Sequence, residues 1–282
     1  MKQLNLYPSL EKRSVAVGKS IRTLGKHELL NSILGREAGI MPLLVQRDGF
    51  LSYPWIVVDL CAGDGVPTEE SGTCSPALIC KHAQYPKLES VRVLFVERGI
   101  NQYDSLAQSD YARAFECYHG ANTDDYVLNF IRKHATSRSA VFLHNDPNHV
   151  EDWNLSPEMI NFFHWSDLRL TTLSTLGCNV GGIKRMDRDH RQQWYDRMDA
   201  LCRAIPRWHD AQIVVLNRDA AQWAYLLTGP AKWIRDGKYT NDARRAFAYW
   251  SKGLTIATRS NTREWDRVVD GLFLTKEELG NG

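Results

Sequence analysis

The sequence predicts an α/β protein with a doubly wound, mainly parallel sheet of seven strands. Short β-branched and apolar runs, each about as long as a buried strand, recur along the chain, and amphipathic stretches separate them. The 282 residues are 43% hydrophobic and 24% charged, which is enough apolar material for a full core. Because strands that alternate with helices favour a parallel sheet, this pattern indicates the α/β class.

The elements follow from the local patterns in chain order. An amphipathic helix is predicted from Lys19 to Leu34, with Gly35 ending it, inside an N-terminal helical extension over residues 1–50. Residues 51–282 are predicted to form the main domain, in which residues 232–264 are an inserted helical segment. The candidate strand segments, one more than the predicted seven-stranded sheet holds, are 57–59, 91–97, 115–118, 141–143, 168–176 and 211–216, and a closing hairpin of 254–258 and 268–275. Helices are also predicted over 189–204 and 241–252.

A glycine turn follows the first strand and predicts a ligand site. The strand ends at Asp59 and leads into a turn that holds Ala62, Gly63 and Gly65. Glycine lacks Cβ, so such a turn can bend sharply and approach a ligand closely at the carboxyl end of a parallel strand. Acidic residues follow the turn and would repel a pyrophosphate, which favours an adenosine cofactor without one. S-adenosylmethionine (SAM) is the first such ligand to consider, and a plain strand-to-loop bend is the alternative.

Two further acidic residues extend this prediction. Glu97 ends the second strand, where its carboxylate is placed to accept both hydroxyls of a ribose. Asp124 lies in the polar turn after the third strand, where it is placed to accept a hydrogen bond from an adenine amino group. The alternatives are a solvated strand end for Glu97 and a helix N-cap for Asp124.

Polar residues after the fourth strand predict the reaction centre. Asp146 is an acceptor that can hold the N–H of an amine and aim the nitrogen lone pair at a methyl donor. Pro147 fixes the turn and removes a backbone donor, and Asn148 completes the predicted catalytic set. Asn145 and His149 are predicted to contact the substrate. An ordinary Asp-Pro turn is the alternative.

Together these segments resemble class I SAM-dependent methyltransferases over residues 50–215, and more narrowly the three-Cys-motif partner group. The matching pieces are residues 26–30, 59–65, 74–78, 95–97 and 142–147. The resemblance implies a Rossmann-like sheet, SAM as cofactor and methyl transfer to an amino nitrogen, plausibly of a nucleic-acid base. Asn148 and His149 depart from two patterns: enzymes that methylate amino groups of bases have a second proline and an aromatic ring there, and the partner group has an aromatic residue and a glycine.

The C-terminal third predicts a polyanionic partner. Basic residues outnumber acidic ones between residues 232 and 267, and aromatic residues are interleaved with them. Arg244 and Arg245 are predicted to contact phosphates, and Trp250 is predicted to stack on a base. The alternative is a helix whose aromatic side chains pack inward while its arginines are merely solvated.

Composition limits the remaining function classes. The six cysteines show no zinc-ligand spacing, so no metal is predicted, and no apolar stretch is long enough to span a membrane. A cytoplasmic location is expected. The sequence leaves two rivals to a nucleic-acid methyltransferase open: a SAM-binding protein that recognises a peptide or a radical-SAM enzyme, and a non-catalytic nucleic-acid-binding regulator.

Overall fold

The computed structural model describes residues 21–48, 54–69, 71–88, 90–136, 139–147, 156–176, 187–206, 208–218, 221–248 and 253–273. The strands within these ranges are β1 (Trp55–Asp59), β2 (Val91–Glu97), β3 (Glu116–His119), β4 (Ala140–Asn145), β5 (Arg169–Leu176), β6 (His209–Arg218), β7 (Ala221–Pro230) and β8 (Leu254–Thr258). The helices are α1 (Ile21–Asp48), α2 (Ser75–Ala83), α3 (Ile100–Ala107), α4 (Asp110–Ala114), α5 (Asp125–His134), α6 (Pro157–Trp165), α7 (Arg188–Ala204), α8 (Ala231–Arg235), α9 (Lys238–Ala246) and α10 (Thr262–Phe273).

The strands form one sheet in the order β3-β2-β1-β4-β5-β7-β6-β8. Strands β1 to β5 pair in parallel, whereas β7 is antiparallel to both β5 and β6, and β8 is antiparallel to β6. The prediction of an α/β fold with a mainly parallel sheet is therefore confirmed. The predicted strand number was wrong, because the sheet has eight strands and part of it is antiparallel.

Two elements of the C-terminal half differ from the sequence prediction. Strand β7 was missed; it forms the second arm of a hairpin with β6. The predicted strand over 268–275 is wrong, because residues 262–273 form helix α10. Trp265, Val269 and Leu272 are buried at a spacing of four and then three residues, which is one face of a helix. The adjacent valines in this short apolar run are β-branched residues, so the local sequence by itself predicts a strand.

Helix α1 is longer than predicted and belongs to the core of the sheet. It continues through Gly35 to Asp48 because its buried stripe continues on the far side of the glycine, at Ala38 and Met41. A Cβ on Gly35 would lie 3.1 Å from the His82 ring of α2. This glycine therefore permits close helix packing rather than ending the helix.

Helices cover both faces of the sheet, as the continuous apolar strands require. Val57 and Phe142 share a core cluster with residues of α1, α2 and α9. Ile56 and Val141 point to the opposite face and share a cluster with residues of α5 and α6. A third cluster joins α7 and α10 to the hairpin of β6 and β7. The edge formed by the carboxyl ends of β1 to β5 is thus held rigidly between two helical layers.

Helices α1 and α9 run antiparallel and are joined by buried polar contacts. Asp242 of α9 accepts two hydrogen bonds from the Arg36 guanidinium, both at 2.8 Å. Near the start of α1, a Cβ on Gly25 would lie 2.6 Å from the Phe247 ring, at the end of α9. Helix α9 therefore ends beside the start of α1. The predicted division into residues 1–50 and 51–282, with an insertion at 232–264, stays a prediction.

A second set of contacts fixes the middle of α1 against β5. The buried Glu37 carboxylate accepts hydrogen bonds from the Arg169 guanidinium at 3.2 and 3.3 Å, from Thr171 Oγ1 at 3.1 Å and from Tyr239 Oη at 2.7 Å. These donors compensate for the cost of burying the carboxylate.

In the part of the chain that the structure describes, no helix combines the length and apolar character needed to cross a bilayer.

Candidate functional site

The candidate site lies at the carboxyl ends of β1 and β4, which are neighbours within the parallel part of the sheet. The chain proceeds from β1 to β2 on one side and from β4 to β5 on the other, so the direction of winding reverses between β1 and β4. Such a reversal opens a crevice at the carboxyl edge of a parallel sheet, where ligands bind. Asp59 and His144 are paired in the register of these strands, at the floor of the crevice.

Asp59 is fully buried and only half satisfied. Its Oδ1 lies 2.9 Å from Nδ1 of His144 and accepts a long hydrogen bond, 3.4 Å, from the backbone N–H of Cys61. Its Oδ2 is buried without a hydrogen-bond partner among the described residues. A buried acceptor without a donor is costly, so this oxygen is suited to a donor supplied by a ligand. The sequence predicted Asp59 but assigned no role to His144.

The structure brings the glycine turn and Glu97 together. Gly63 N–H donates to Glu97 Oε2 at 2.8 Å, and Gly99 N–H donates to Glu97 Oε1 at 2.7 Å. Burial raises the pKa of Glu97, while these two backbone donors act in the opposite direction. An ionised carboxylate has about four acceptor positions, and the backbone of Arg98 also donates to Glu97, so capacity remains for a further donor such as a hydroxyl. Glu97 therefore fixes the turn and still has acceptor capacity.

The two glycines of the turn have different surroundings. Both have a left-handed backbone conformation with φ of +69°. A Cβ on Gly65 would lie 3.1 Å from Leu106, so Gly65 permits packing against α3. A Cβ on Gly63 would meet no atom of the described residues within 4 Å. Gly63 therefore borders open space, while the buried Ala62 continues the sheet by donating its N–H to Val96 O at 2.9 Å.

Asp124 organises the turn after β3. Its Oδ2 accepts from Tyr118 Oη at 2.9 Å and from the backbone N–H of Ala121 at 2.9 Å. Asp124 occupies the N-cap position of α5, yet its side chain makes no capping hydrogen bond. The alternative interpretation as an N-cap thus holds for its position and not for its side chain. A role at an adenine ring stays a prediction.

Asp146 lies just beyond β4 and forms an ion pair with Lys26 of α1. Burial raises the pKa of Asp146, but the Lys26 charge, the nearby His144 and hydrogen bonds from Lys26 and Thr175 outweigh burial and lower it to about 2. The carboxylate is therefore ionised at neutral pH and acts only as an acceptor. Lys26 is 120 positions away in sequence, and no spacing signal connects the two residues.

His27, the neighbour of Lys26, connects α1 to the segment after the glycine turn. Its Nδ1 lies 2.7 Å from Ser71 Oγ. Burial and the adjacent Lys26 lower the pKa of His27 to about 4, so its ring is neutral at pH 7. The first turns of α1 thus form one wall of the crevice. The sequence prediction placed α1 ahead of the sheet and interpreted His27 as a packing or capping residue, with a role at the cofactor edge only through the family resemblance.

The remaining predicted contact residues have different outcomes. Asn145 is buried at the end of β4, with its Oδ1 3.6 Å from Cys61 Sγ, and Pro147 is buried as well. Asn148, His149 and Trp250 lie outside the described residues. The roles predicted for all five residues stay predictions.

Helix α9 presents Arg244 and Arg245 on its exposed side. Arg245 donates to Asp242 Oδ1 at 2.9 Å and to Ser32 Oγ at 3.2 Å, so part of its donor capacity is used within the protein. The neighbouring aromatic residues pack inward: Tyr239 and Phe247 are buried, and the Arg169 guanidinium lies 4.1 Å from the Trp233 ring centre. For Tyr239 and Phe247 the structure shows the core alternative, and Trp233 is half-buried and packs against the same core cluster.

Replacing Glu97 by alanine is expected to weaken SAM binding by about 1 to 3 kcal/mol, because the turn loses its anchor and the carboxylate that is predicted to accept the ribose hydroxyls is removed. Isothermal titration calorimetry with SAM measures the effect. Glu116→Ala, at an exposed position of β3, is the matched control and should leave affinity unchanged. Parental affinity in Glu97→Ala would remove Glu97 from the cofactor site.

No family model and no curated protein matches this chain. Among solved structures, protein LPL1258 from Legionella pneumophila is 12% identical, with a TM-score of 0.55 over 85% of this chain and 97% of that protein. An O-methyltransferase from Bacillus cereus in complex with SAH is 14% identical, with a TM-score of 0.39 over 74% of this chain and 90% of that protein. TrmN from Thermus thermophilus is 8% identical, with a TM-score of 0.31 over 68% of this chain and 48% of that protein. The likeness to the Legionella protein shows that this chain shares its fold, and at that identity it shows the fold alone.

Proposed function

We propose that this protein binds SAM and transfers a methyl group to an amino nitrogen of a nucleic-acid base. One observation carries the proposal: at the ends of β1 and β4, a Cβ on Gly63 would meet no atom of the described residues, Asp59 Oδ2 is buried without a partner among them, and Asp146 is ionised. One edge of the sheet then carries three groups that SAM and an amine would need. Gly63 gives a backbone that a ligand can approach closely, Asp59 is an acceptor for an ammonium, and Asp146 is an acceptor for an amine. The narrower resemblance to the three-Cys-motif partner group remains part of this proposal.

The residues of the crevice fit SAM in chemical terms. Gly63 lets the backbone approach the ligand, and Asp59 Oδ2 accepts from the ammonium of the methionine part. The remaining acceptor capacity of Glu97 takes the ribose hydroxyls, and Asp124 takes the adenine amino group. Bound SAM would supply a methyl group already activated by a sulfonium: the nitrogen–methyl bond forms as the sulfur–methyl bond breaks, S-adenosylhomocysteine (SAH) leaves, and the nitrogen releases its proton to solvent. The proposed reaction therefore needs no metal.

Asp146 is proposed to orient the acceptor nitrogen. Because its carboxylate is ionised, it accepts an N–H of the amine and restricts rotation of that nitrogen. Pro147 supplies no backbone N–H that would compete for the carboxylate. Asn145, Asn148 and His149 are proposed to hold the rest of the base.

The proposed nucleic-acid contact lies on α9. This helix runs antiparallel to α1 and ends near Gly25, so it approaches the part of α1 that carries Lys26. Exposed arginines on such a helix can neutralise phosphates without reading sequence. Because the described aromatic rings of this segment face inward, binding here should be dominated by phosphate contacts.

Replacing both Arg244 and Arg245 by alanine is expected to weaken binding of an RNA or DNA oligomer. Each lost phosphate contact should reduce the log-log salt slope by roughly 0.7 to 0.9. Fluorescence anisotropy at several salt concentrations measures the slope, and the melting temperature reports the cost of losing the contact of Arg245 with Asp242. Arg113→Ala, exposed on α4, is the control. An unchanged slope in the double variant would leave this surface without a role in nucleic-acid binding.

A second candidate function is a SAM-binding partner protein that lacks turnover. The observation in its favour is the Lys26–Asp146 ion pair, because a carboxylate that already holds an ammonium is less available to a substrate amine. Such a protein would recognise a peptide or a radical-SAM enzyme through the same crevice edge.

Two measurements separate these functions. Calorimetry with SAM tests the shared cofactor, and a tritiated-methyl assay over DNA, RNA and protein acceptors tests turnover. Binding with transfer to a nucleic acid supports the methyltransferase, whereas binding without transfer to any acceptor supports the partner protein. Absence of SAM binding would contradict both and favour a nucleic-acid-binding regulator.

A further inference from the structure

We infer that Lys26 is a positioning residue: its ammonium donates to the Asp146 oxygen that a target amino group would use, and it is displaced when that amino group binds. This inference rests on the proposed function, since it assigns Asp146 to the substrate amine. An ammonium and an exocyclic amino group are both N–H donors, so they compete for Asp146 Oδ2, the oxygen to which the Lys26 ammonium donates. A base that carries a carbonyl oxygen at the corresponding position offers an acceptor and cannot replace Lys26.

The backbone on both sides of Lys26 is held in place. Gly25 lies so close to the Phe247 ring that a side chain there would displace the ring. His27 is buried and contacts Ser71, which fixes the next residue of the helix. The path of the lysine chain is therefore set by α1, while the ammonium at its end can rotate away without moving the helix. A flexible four-carbon stem with a single charged end suits such an exchange.

The charges around Asp146 make Lys26 its principal partner. Lys26 and His27 approach from α1, His144 from β4, Thr175 from β5, and Asp59 lies next to His144 on β1. His27 is neutral at pH 7, and Asp59 faces His144 directly. The side chains of Lys26 and Asp146 are 20% and 19% exposed, so the pair is reachable from solvent. A partly exposed ion pair can exchange for an intermolecular contact at modest cost, unlike a fully buried one.

The first test needs neither cofactor nor target. The Asp146 carboxyl carbon is followed by NMR across pH in the parent, Lys26→Met and Lys26→Arg, with Asp146→Asn to assign the signal. We expect the Asp146 pKa, about 2 in the parent, to rise above the ordinary aspartate value in Lys26→Met, since burial is then less opposed. Lys26→Arg should restore a low pKa. An unchanged titration in Lys26→Met would overturn the inference.

The Lys26–Asp146 ion pair also determines how the folding stability changes with pH. A depressed pKa in the folded state means that the pair contributes stability above about pH 4, which is lost as pH falls towards 2. Lys26→Met should therefore lose less stability than the parent across that window. His27 titrates near pH 4, so His27→Gln in both backgrounds separates its contribution.

The second test uses labelled single-stranded 12-mers of dA, dI, dC and dU, with the cofactor site saturated with SAH. We expect Lys26→Met to bind the amino-bearing dA or dC oligomer roughly tenfold more tightly than the parent does, with the dI and dU oligomers unchanged. Lys26→Arg should resemble the parent. An equal change for amino and carbonyl oligomers, or no change, would overturn the inference even if SAM binding is intact. Failure to bind SAM or SAH would instead contradict the proposed function.

Discussion

Replacing Asp146 by alanine is expected to reduce methyl transfer roughly a hundredfold or more, about 3 kcal/mol of transition-state stabilisation. SAM affinity should change little, because the cofactor is proposed to contact Asp59, Gly63 and Glu97 instead. The physical reason is orientation: without an ionised acceptor the amine nitrogen is no longer restricted in rotation. The tritiated-methyl assay gives the rate, and calorimetry gives SAM affinity for the same preparation.

Two controls isolate the chemical effect of Asp146. Asp104→Ala, at an exposed position of α3, removes a carboxylate outside the crevice and should keep the parental rate. The melting temperature of Asp146→Ala is needed because the change leaves the Lys26 ammonium without its carboxylate. A folded Asp146→Ala protein that methylates at the parental rate would exclude Asp146 from the reaction.

Replacing Gly63 by valine is expected to lower SAM affinity by more than about a hundredfold. The Gly63 backbone has φ of +69°, and a side chain there would project into the open space assigned to the cofactor. A β-branched residue in that conformation is strained by about 1 to 3 kcal/mol, so loss of stability must be separated from loss of binding. Calorimetry with SAM and urea unfolding of the same variant measure the two quantities.

The chain offers a closely matched control for this substitution. Gly237 also has φ of +69° and also has open space where a Cβ would lie, but it precedes α9 and is remote from the crevice. Gly237→Val should therefore lose comparable stability and retain SAM affinity. If both variants bind SAM like the parent, the open space over Gly63 does not hold the cofactor.

The first half of the sheet is predicted well from sequence because its signals are local. Strands β1, β2 and β4 are continuous apolar runs that end in polar residues, and the glycine turn follows β1 directly. The spacing of apolar residues and the residue types of the turns are sufficient to predict these strands. Each run is buried on both faces and therefore lacks the pattern of an amphipathic helix. The polar residues at these strand ends, Asp59, Glu97 and Asp146, follow from the same pattern.

The C-terminal half shows where local signals fail. The adjacent apolar residues of α10 satisfy a strand pattern over a short window, and only packing of Trp265, Val269 and Leu272 against the third core cluster selects the helix. Gly35 has the same ambiguity. It is a common helix-ending residue in sequence, yet here it allows α1 to approach His82 of α2.

The sequence by itself determined the α/β class, the order of the first strands and the acidic residues at their carboxyl ends, because these depend on neighbours along the chain. Tertiary structure alone decided which distant residues meet them. It pairs Lys26 with Asp146 across 120 positions, places His144 against Asp59 and turns the aromatic residues near α9 inward. Such contacts depend on how α1, the sheet and α9 pack together, and no periodicity in the sequence encodes that packing.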